Sequence, residues 1–298
     1  MAKLGFMGLG LMGYPMAEHL LDAGHQVALW SHTKSKARKL SKHKNGVYCK
    51  TPKEVGEFAE CTFLCVGDTA MSESVLLGEN SVIEGISADD VVADCSTIAP
   101  TAAKNLAIAY KAKGAWYLDA PCTGSTPGAT GGTLTFMIGG PKKVFERVKP
   151  YFEAMGKNFF YCGKSGMGLH AKLSQNLVLA NMLQGFIEGM VLAKKAGVQP
   201  ELMFDVLDNS AAKAGLISFK APYIFRREFE AAFPLKWMKK DITLMLDSGR
   251  ELGVPLPSTA QVHELFQASV SEGHGDEDIC AAIKLFEKWA GVEVKGKG

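Results

Sequence analysis

Gly8-Leu9-Gly10-Leu11-Met12-Gly13 follows directly on the apolar run Leu4-Gly5-Phe6-Met7, and this opening segment decides how the chain folds. Glycines at this spacing acquire a purpose when a strand precedes them and a helix follows. Gly8 then permits the turn, Gly10 lets the backbone come close to a pyrophosphate, and Gly13 lets helix and strand pack tightly. The phosphates would rest on the free N–H groups and positive dipole end of a helix beginning near Leu11. Gly8, Leu9, Gly10, Leu11, Met12 and Gly13 are therefore candidate dinucleotide ligands. A glycine-rich turn of purely structural purpose is the competing reading.

Working outward, residues 14–23 have helical spacing and Gly24 stands where a C-terminal cap belongs. Residues 26–30 read as the second strand, and Thr51-Pro52-Lys53-Glu54 as a capping box with proline at the first helical position. Short apolar runs at 61–66 and 90–94 fit buried parallel strands. A helix over 100–113, a strand at 116–118, and strands at 134–138 and 159–161 continue the alternation. This rhythm predicts an α/β domain of Rossmann type, an open, doubly wound, mostly parallel sheet, over residues 1–163. After Gly163 the pattern changes. Residues 167–196 carry no proline or strand signal, which predicts one helix of roughly 45 Å, and helices follow to about Ala290 with breaks at Gly253-Val254-Pro255 and Gly273-His274-Gly275. An all-α domain over 164–298, joined through the long interdomain helix, is the expectation.

Composition narrows the function. Apolar residues make up 47% of the 298 and charged ones 21%, enough for a large core, with disorder expected only at the Lys295-Gly296-Lys297-Gly298 tail. A formal charge of +2 leaves no dense basic surface for nucleic acid; the local run Lys34, Lys36, Arg38, Lys39, Lys42, Lys44 reads as a solvated helix face. Seven cysteines without Cys-x-x-Cys spacing, and no paired histidines, argue against a disulfide framework and a metal site. The first strand begins by Lys3 or Leu4, leaving no room for a secretory leader. No apolar run is expected to reach transmembrane length, because Asn181, Gln184 and Glu188 interrupt the long helix. A cytoplasmic protein without membrane or nucleic-acid partners is expected.

Three places could carry chemistry. Lys172 and Asn176, four residues apart near the start of the long helix, share a face. An ammonium there could give a proton to a carbonyl oxygen in reduction and take it back in oxidation, with Asn176 fixing the lysine or the substrate oxygen. A surface lysine on a solvated helix is the competing reading. Pro121-Cys122-Thr123-Gly124-Ser125-Thr126-Pro127-Gly128-Ala129 follows the strand ending at Asp119, and its small residues suit a nest for a carboxylate, or an ordinary turn. Ser96-Thr97 lies just past another strand, where cofactors bind in such sheets, and also reads as a helix cap before Pro100. Val66 and Gly67, at the end of the 61–66 run, join the candidate cofactor set.

Taken together, these segments resemble the β-hydroxyacid dehydrogenases, the family of 3-hydroxyisobutyrate dehydrogenase and glyoxylate/succinic semialdehyde reductase, over nearly the whole chain. Residues 4–17 match its first motif, including Met12, Pro15 and Met16; Asp94-Cys95-Ser96-Thr97 is similar to its segment near the nicotinamide. Residues 119–129 resemble its substrate motif, Gly166-Met167-Gly168 with Lys172 and Asn176 its catalytic motif, and Lys240-Asp241 a pair near its active site. The resemblance implies that Lys172 is the acid/base and Asn176 assists. It further implies that Thr123 and Gly124 hold the substrate carboxylate, that Ser125 also belongs to the substrate-binding set, and that Lys240 lines the closed site toward substrate and cofactor. It implies an oxidoreductase moving hydride between NADP(H) and a small carboxylated aldehyde or hydroxyacid, working as a homodimer or homotetramer. Thr123 stands where serine is usual, Ser125 where glycine is, Cys122 where valine is, and Gln175 where an asparagine is.

Cofactor choice rests on Trp30-Ser31-His32-Thr33-Lys34-Ser35-Lys36. An acidic residue about 20 positions past the glycines would bind the ribose of NAD, and none is present. Ser31, His32 and Thr33 offer donors for a 2′-phosphate and Lys34 or Lys36 can neutralise it, although His32 replaces the family's common arginine. NADP is expected, with NAD as the alternative. A non-catalytic dinucleotide sensor or scaffold and an imine reductase are the other functions open; Lys172 argues against both. The larger 6-phosphogluconate dehydrogenases share the front half but need a longer helical domain.

Overall fold

The computed structural model describes residues 1–296, so the last two residues of the expected disordered tail lie outside it. Two compact units divide at Leu173/Ser174, inside the long helix rather than before it. The reason is local: Leu169 is packed in the core of the first unit, so the opening of that helix belongs to it.

The first unit is built on nine strands: β1 (Lys3–Met7), β2 (Gln26–Trp30), β3 (Gly46–Tyr48), β4 (Cys61–Leu64), β5 (Val91–Asp94), β6 (Trp116–Asp119), β7 (Cys122–Thr123), β8 (Leu134–Gly139) and β9 (Gly156–Gly163). They run in the order β3-β2-β1-β4-β5-β6-β8-β7, with β9 paired to β8. Pairings from β3 through β6 are parallel, while β8 runs antiparallel to β6 and β7. The two shortest strands, β3 and β7, were not expected. Neither has the four or more alternating residues that mark a strand in sequence, and each exists by pairing with a longer neighbour. Apolar side chains fill both faces of the sheet, as continuous apolar strands require. On one face Phe152 meets the rings of Phe63 and Phe136 edge-on, each at 5.1 Å between centroids.

Helix boundaries follow the expected chemistry closely. The first helix is Gly13–Asp22, with Gly24 at φ +88° just beyond it. Thr51 Oγ1 accepts from Glu54 N at 3.2 Å and starts the Pro52–Phe58 helix, while the Glu54 carboxylate reaches back to Lys50 N. Pro100–Ala112 is helical, but its cap is Ala99, whose N–H donates to Thr69 Oγ1; Ser96 and Thr97 do not cap it. The lysines and Arg38 of the Lys34–Leu40 helix are exposed over buried Ala37 and Leu40.

The Met167–Lys195 helix has 29 residues and a mean hydropathy of 1.3 over its most apolar window. Contrary to expectation, it is long and apolar enough to cross a bilayer. Its polar residues Lys172, Asn176 and Gln184 are nevertheless buried with Leu173, Leu183, Ile187 and Met190, the mixture of a core helix.

The second unit adds helices Pro200–Asp208, Gly215–Arg226, Leu235–Leu252, Pro257–Ser269 and Ile283–Ala290. Its centre holds an ion pair: Lys220 Nζ lies 2.7 and 2.8 Å from the Asp278 carboxylate oxygens, both residues almost fully buried. Asp278 also accepts from the N–H groups of Ala232, Phe233 and Cys280.

Candidate active site

The phosphate turn divides its labour among three glycines. Gly8 has φ +85°, and a Cβ there would stand 2.1 Å from the Cys65 carbonyl oxygen. Its N–H donates to Trp30 O, tying the turn to β2. A Cβ on Gly13 would meet the Gly8 carbonyl oxygen at 1.9 Å, so the helix can approach the strand only without one. At Gly10 nothing lies within 4 Å of the same position. That open face above exposed backbone fits a pyrophosphate, and a side chain would fill it. Leu9 is buried in the core, Leu11 exposed and Met12 half-buried, so Leu9 is available to a cofactor only through its backbone.

Past β2, Ser31 is buried and His32, Thr33, Lys34 and Lys36 are exposed at the start of the next helix. The set carries positive charge and hydroxyl donors without a carboxylate, a composition that fits a phosphate better than a bare ribose.

At the far ends of β5 and β6 stand two buried aspartates in register, Asp94 and Asp119. Each organises the chain that follows. Asp94 accepts from the hydroxyls of Ser72 and Tyr117 and from Ser96 N. The Ser96 hydroxyl accepts from Val66 N at 2.8 Å. Its side chain therefore joins the turns after β4 and β5, while its backbone N–H is held by Asp94. Burial pushes the Asp94 carboxyl above the usual range, with the hydrogen bonds opposing that rise.

Asp119 positions the second half of the site. Its carboxylate accepts from Gly166 N at 2.7 Å and Leu169 N at 3.0 Å, capping the start of the long helix from 47 and 50 residues away. Close packing makes the glycines obligatory: a Cβ on Gly168 would lie 2.4 Å from Met137 O, and one on Gly139 2.5 Å from the Asp119 carboxylate. Burial raises the Asp119 carboxyl to about 6 against the pull of these N–H donors. One turn along this anchored helix, Lys172 is buried. The solvated-surface reading of Lys172 and Asn176 is thereby excluded, since Asn176 is 1% exposed.

The loop after β6 comes within electrostatic range of the lysine. Burial pushes the Cys122 thiol up to about 11, and the nearby Lys172 ammonium works against that rise. Thr123 pairs with Thr135 of β8, Gly124 follows at φ +133°, and Ser125 opens a short helix, Ser125–Thr130, where only a turn was expected.

In the second unit, Asn176 Nδ2 donates to Asp241 Oδ2 at 2.7 Å, and Lys240 Nζ lies 2.8 Å from Asp241 Oδ1. The amide of Asn176 is thus held by Asp241, a role the sequence reading did not assign. Asp94, Asp119 and Asp241 were placed within motifs but given no role of their own. A carboxylate closing an apolar run such as Val91-Val92-Ala93-Asp94 is the signal that could have found the first two. Gly67 is half-buried after β4, next to Asp68, which caps the following helix by accepting from Met71 N. Among the described residues no cluster of His, Cys, Asp and Glu could hold a metal.

Residues 3–163 match the family model described as the NAD binding domain of 6-phosphogluconate dehydrogenase. Residues 166–286 match that described as NAD-binding of NADP-dependent 3-hydroxyisobutyrate dehydrogenase. The chain is 35% identical to 2-hydroxy-3-oxopropionate reductase of Escherichia coli over 97% of its own length and 98% of the relative's. It is 34% identical to the chloroplastic glyoxylate/succinic semialdehyde reductase 2 of Arabidopsis thaliana, covering 96% and 79%. The crystal structure of 3-hydroxyisobutyrate dehydrogenase from Salmonella typhimurium superposes with a TM-score of 0.85 at 26% identity, covering 95% and 99%.

Proposed function

The chain belongs to the β-hydroxyacid dehydrogenase family, and from that premise we propose that it is an NADP(H)-dependent reductase of a small carboxylated aldehyde or ketoacid, reversible toward the hydroxyacid. One observation carries the reading: Lys172 is a buried amine on a helix capped by Asp119, with its charge felt at Cys122 of the substrate loop. NADPH when bound supplies the hydride, so that aldehyde, NADPH and one proton give alcohol and NADP+. Lys172 delivers the proton to the carbonyl oxygen as charge develops there and recovers it in oxidation. Asn176, steadied by Asp241, assists on the same helix face. Thr123 and the Gly124–Ser125 backbone hold the carboxylate, and Lys240 adds positive charge toward substrate and cofactor. Residues 8–13, Val66, Gly67, Ser96 and Thr97 cradle the dinucleotide, with Ser31, His32, Thr33 and Lys36 at the 2′-phosphate. In this reading residues 1–163 hold the cofactor and 164–298 serve substrate and self-association. Relatives that act on glyoxylate, succinic semialdehyde and 2-hydroxy-3-oxopropionate support this substrate class.

The test replaces Lys172 by Ala. Turnover of short carboxylated aldehydes falls about a hundredfold or more, in the range of a lost general acid, while NADPH affinity stays unchanged. A loss below about threefold overturns the assignment, and a tenfold preference for NAD in kcat/KM overturns the cofactor choice.

Self-association belongs to the same reading. Val178, Met182, Gly185, Gly189 and Leu192 recur at three- and four-residue steps, forming one face of the long helix. Val178 is 57% and Leu192 72% exposed, and no heavy atom lies within 4 Å of a Cβ on either glycine. A second copy covers this face. Leu192→Glu should leave a monomer in light scattering at micromolar concentration.

A further inference from the structure

The Ser125–Thr130 helix is six residues long, too short to hold itself together without support from outside. It is entered through Gly124 at φ +133° and Ser125 at φ +53° and left past Gly132 at φ +60°, so left-handed backbone bounds it on both sides. The last carbonyl oxygens of a helix have no partner further along it. His19 supplies one here: its Nε2 lies 3.0 Å from both Ala129 O and Thr130 O. Carbonyl oxygens only accept, so Nε2 carries the hydrogen and the imidazole is the donor. A Cβ on Gly132 would stand 3.3 Å from His19 Cε1, which places the returning backbone directly against the ring. His19 itself belongs to the Gly13–Asp22 helix, the one that opens at the phosphate turn. Ala129 shares a buried core with Met16, Ala17 and Leu20 of that helix. One imidazole therefore ties the helix of the cofactor turn to the far end of the helix that follows Thr123 and Gly124.

We propose that His19 is a positioning residue for substrate binding: by holding the carbonyl end of the short helix, it keeps Thr123 and Gly124 seated relative to the pyrophosphate turn. The inference deepens the activity proposed above and rests on it. Without the ring N–H the short helix loses its tie, and the loop spends part of its time in arrangements that do not receive a carboxylate. Apparent affinity then falls in proportion to the fraction that stays competent. The loss of one hydrogen bond corresponds to a change of about tenfold. That change belongs to KM. Lys172 stands on a different helix, capped by Asp119, so the chemical step keeps its proton donor. The glycine turn is held through Gly8 N and Trp30 O, a bond that does not involve His19.

The experiment measures kcat and KM for glyoxylate, succinic semialdehyde and 2-hydroxy-3-oxopropionate at saturating NADPH, together with the NADPH Kd by calorimetry, in wild type, His19→Leu and His19→Gln. Leu fills similar space without a donor, whereas Gln returns an N–H at similar reach. His19→Leu should raise KM about tenfold for the aldehyde that wild type turns over best, with kcat held within about threefold and the NADPH Kd within about twofold. His19→Gln should bring KM back to within about threefold of wild type. A KM moved less than about threefold by Leu, a Gln variant as impaired as Leu, or a fall in kcat in place of the rise in KM overturns the proposal. NADPH binding weakened in step with KM overturns it too, by showing that His19 only supports the fold. A wild type that binds NADPH and reduces none of the three aldehydes overturns the activity reading, and this proposal with it.

Discussion

Replacing Gly10 by Ala should separate cofactor binding from folding. The new Cβ has no heavy atom within 4 Å, and the backbone there does not have positive φ. An L side chain is thus accepted, and the lower entropy of the unfolded chain contributes about 0.4–1 kcal/mol toward stability. The methyl instead occupies the space through which a pyrophosphate would meet the N–H groups of the turn. Hydrogen bonds to a charged group contribute about 1.5–3 kcal/mol each, so pushing the phosphate off two of them costs about 3 kcal/mol or more. At 1.4 kcal/mol per decade that weakens NADPH binding by about a hundredfold. Gly13→Ala is the contrast, because its Cβ would lie 1.9 Å from the Gly8 carbonyl oxygen, in the backbone itself. That variant should lose the fold and binding together. Urea unfolding followed by calorimetric titration with NADPH distinguishes the two. NADPH binding by Gly10→Ala within threefold of wild type, or destabilisation beyond about 2 kcal/mol, would refute the reasoning.

Lys220→Met should destabilise the second unit by about 3–5 kcal/mol, because Asp278 would remain buried with only three backbone N–H donors. Urea unfolding showing a loss below about 1 kcal/mol would contradict this. Asp119 sets a pH dependence of unusual sign. Its carboxyl is raised to about 6 in the fold, so the native state binds the extra proton, and this residue's contribution to stability falls as pH rises from about 4 to 6. The stability gap between wild type and Asp119→Asn should shift by about 3 kcal/mol across that window, and a constant gap would sink the assignment. Thr51→Ala, which removes the acceptor for Glu54 N, should lower the melting temperature in keeping with a loss of about 1 kcal/mol. An unchanged melting temperature would show that the cap contributes nothing.

Legibility tracked the range of the interactions. The glycine turn, the Thr51 cap, the β2 strand and the 29-residue helix were readable because backbone conformation and short-range hydrogen bonds decide them. β7 and the Ser125–Thr130 helix were not, since a two-residue strand exists only through Phe136 and Thr135 on a distant partner. Ser96 shows a related limit: which neighbours its hydroxyl and backbone N–H bond, Val66 N and the Asp94 carboxylate, was not readable from its place after a strand.

The linear chain by itself determined that a sheet alternating with helices would precede an all-helical region, and that a dinucleotide turn would open it. It determined too that Lys172 and Asn176 would share a helix face, because helical periodicity is a local property. Only the tertiary structure decided that Lys172 is buried rather than solvated and that Asp119 caps the helix carrying it. The same holds for Asp241 gripping Asn176 and for Ser125 taking a left-handed backbone. Those outcomes depend on burial and on hydrogen bonds between groups far apart in the chain. Desolvation and packing arise only when such groups are brought together, and no periodicity records them.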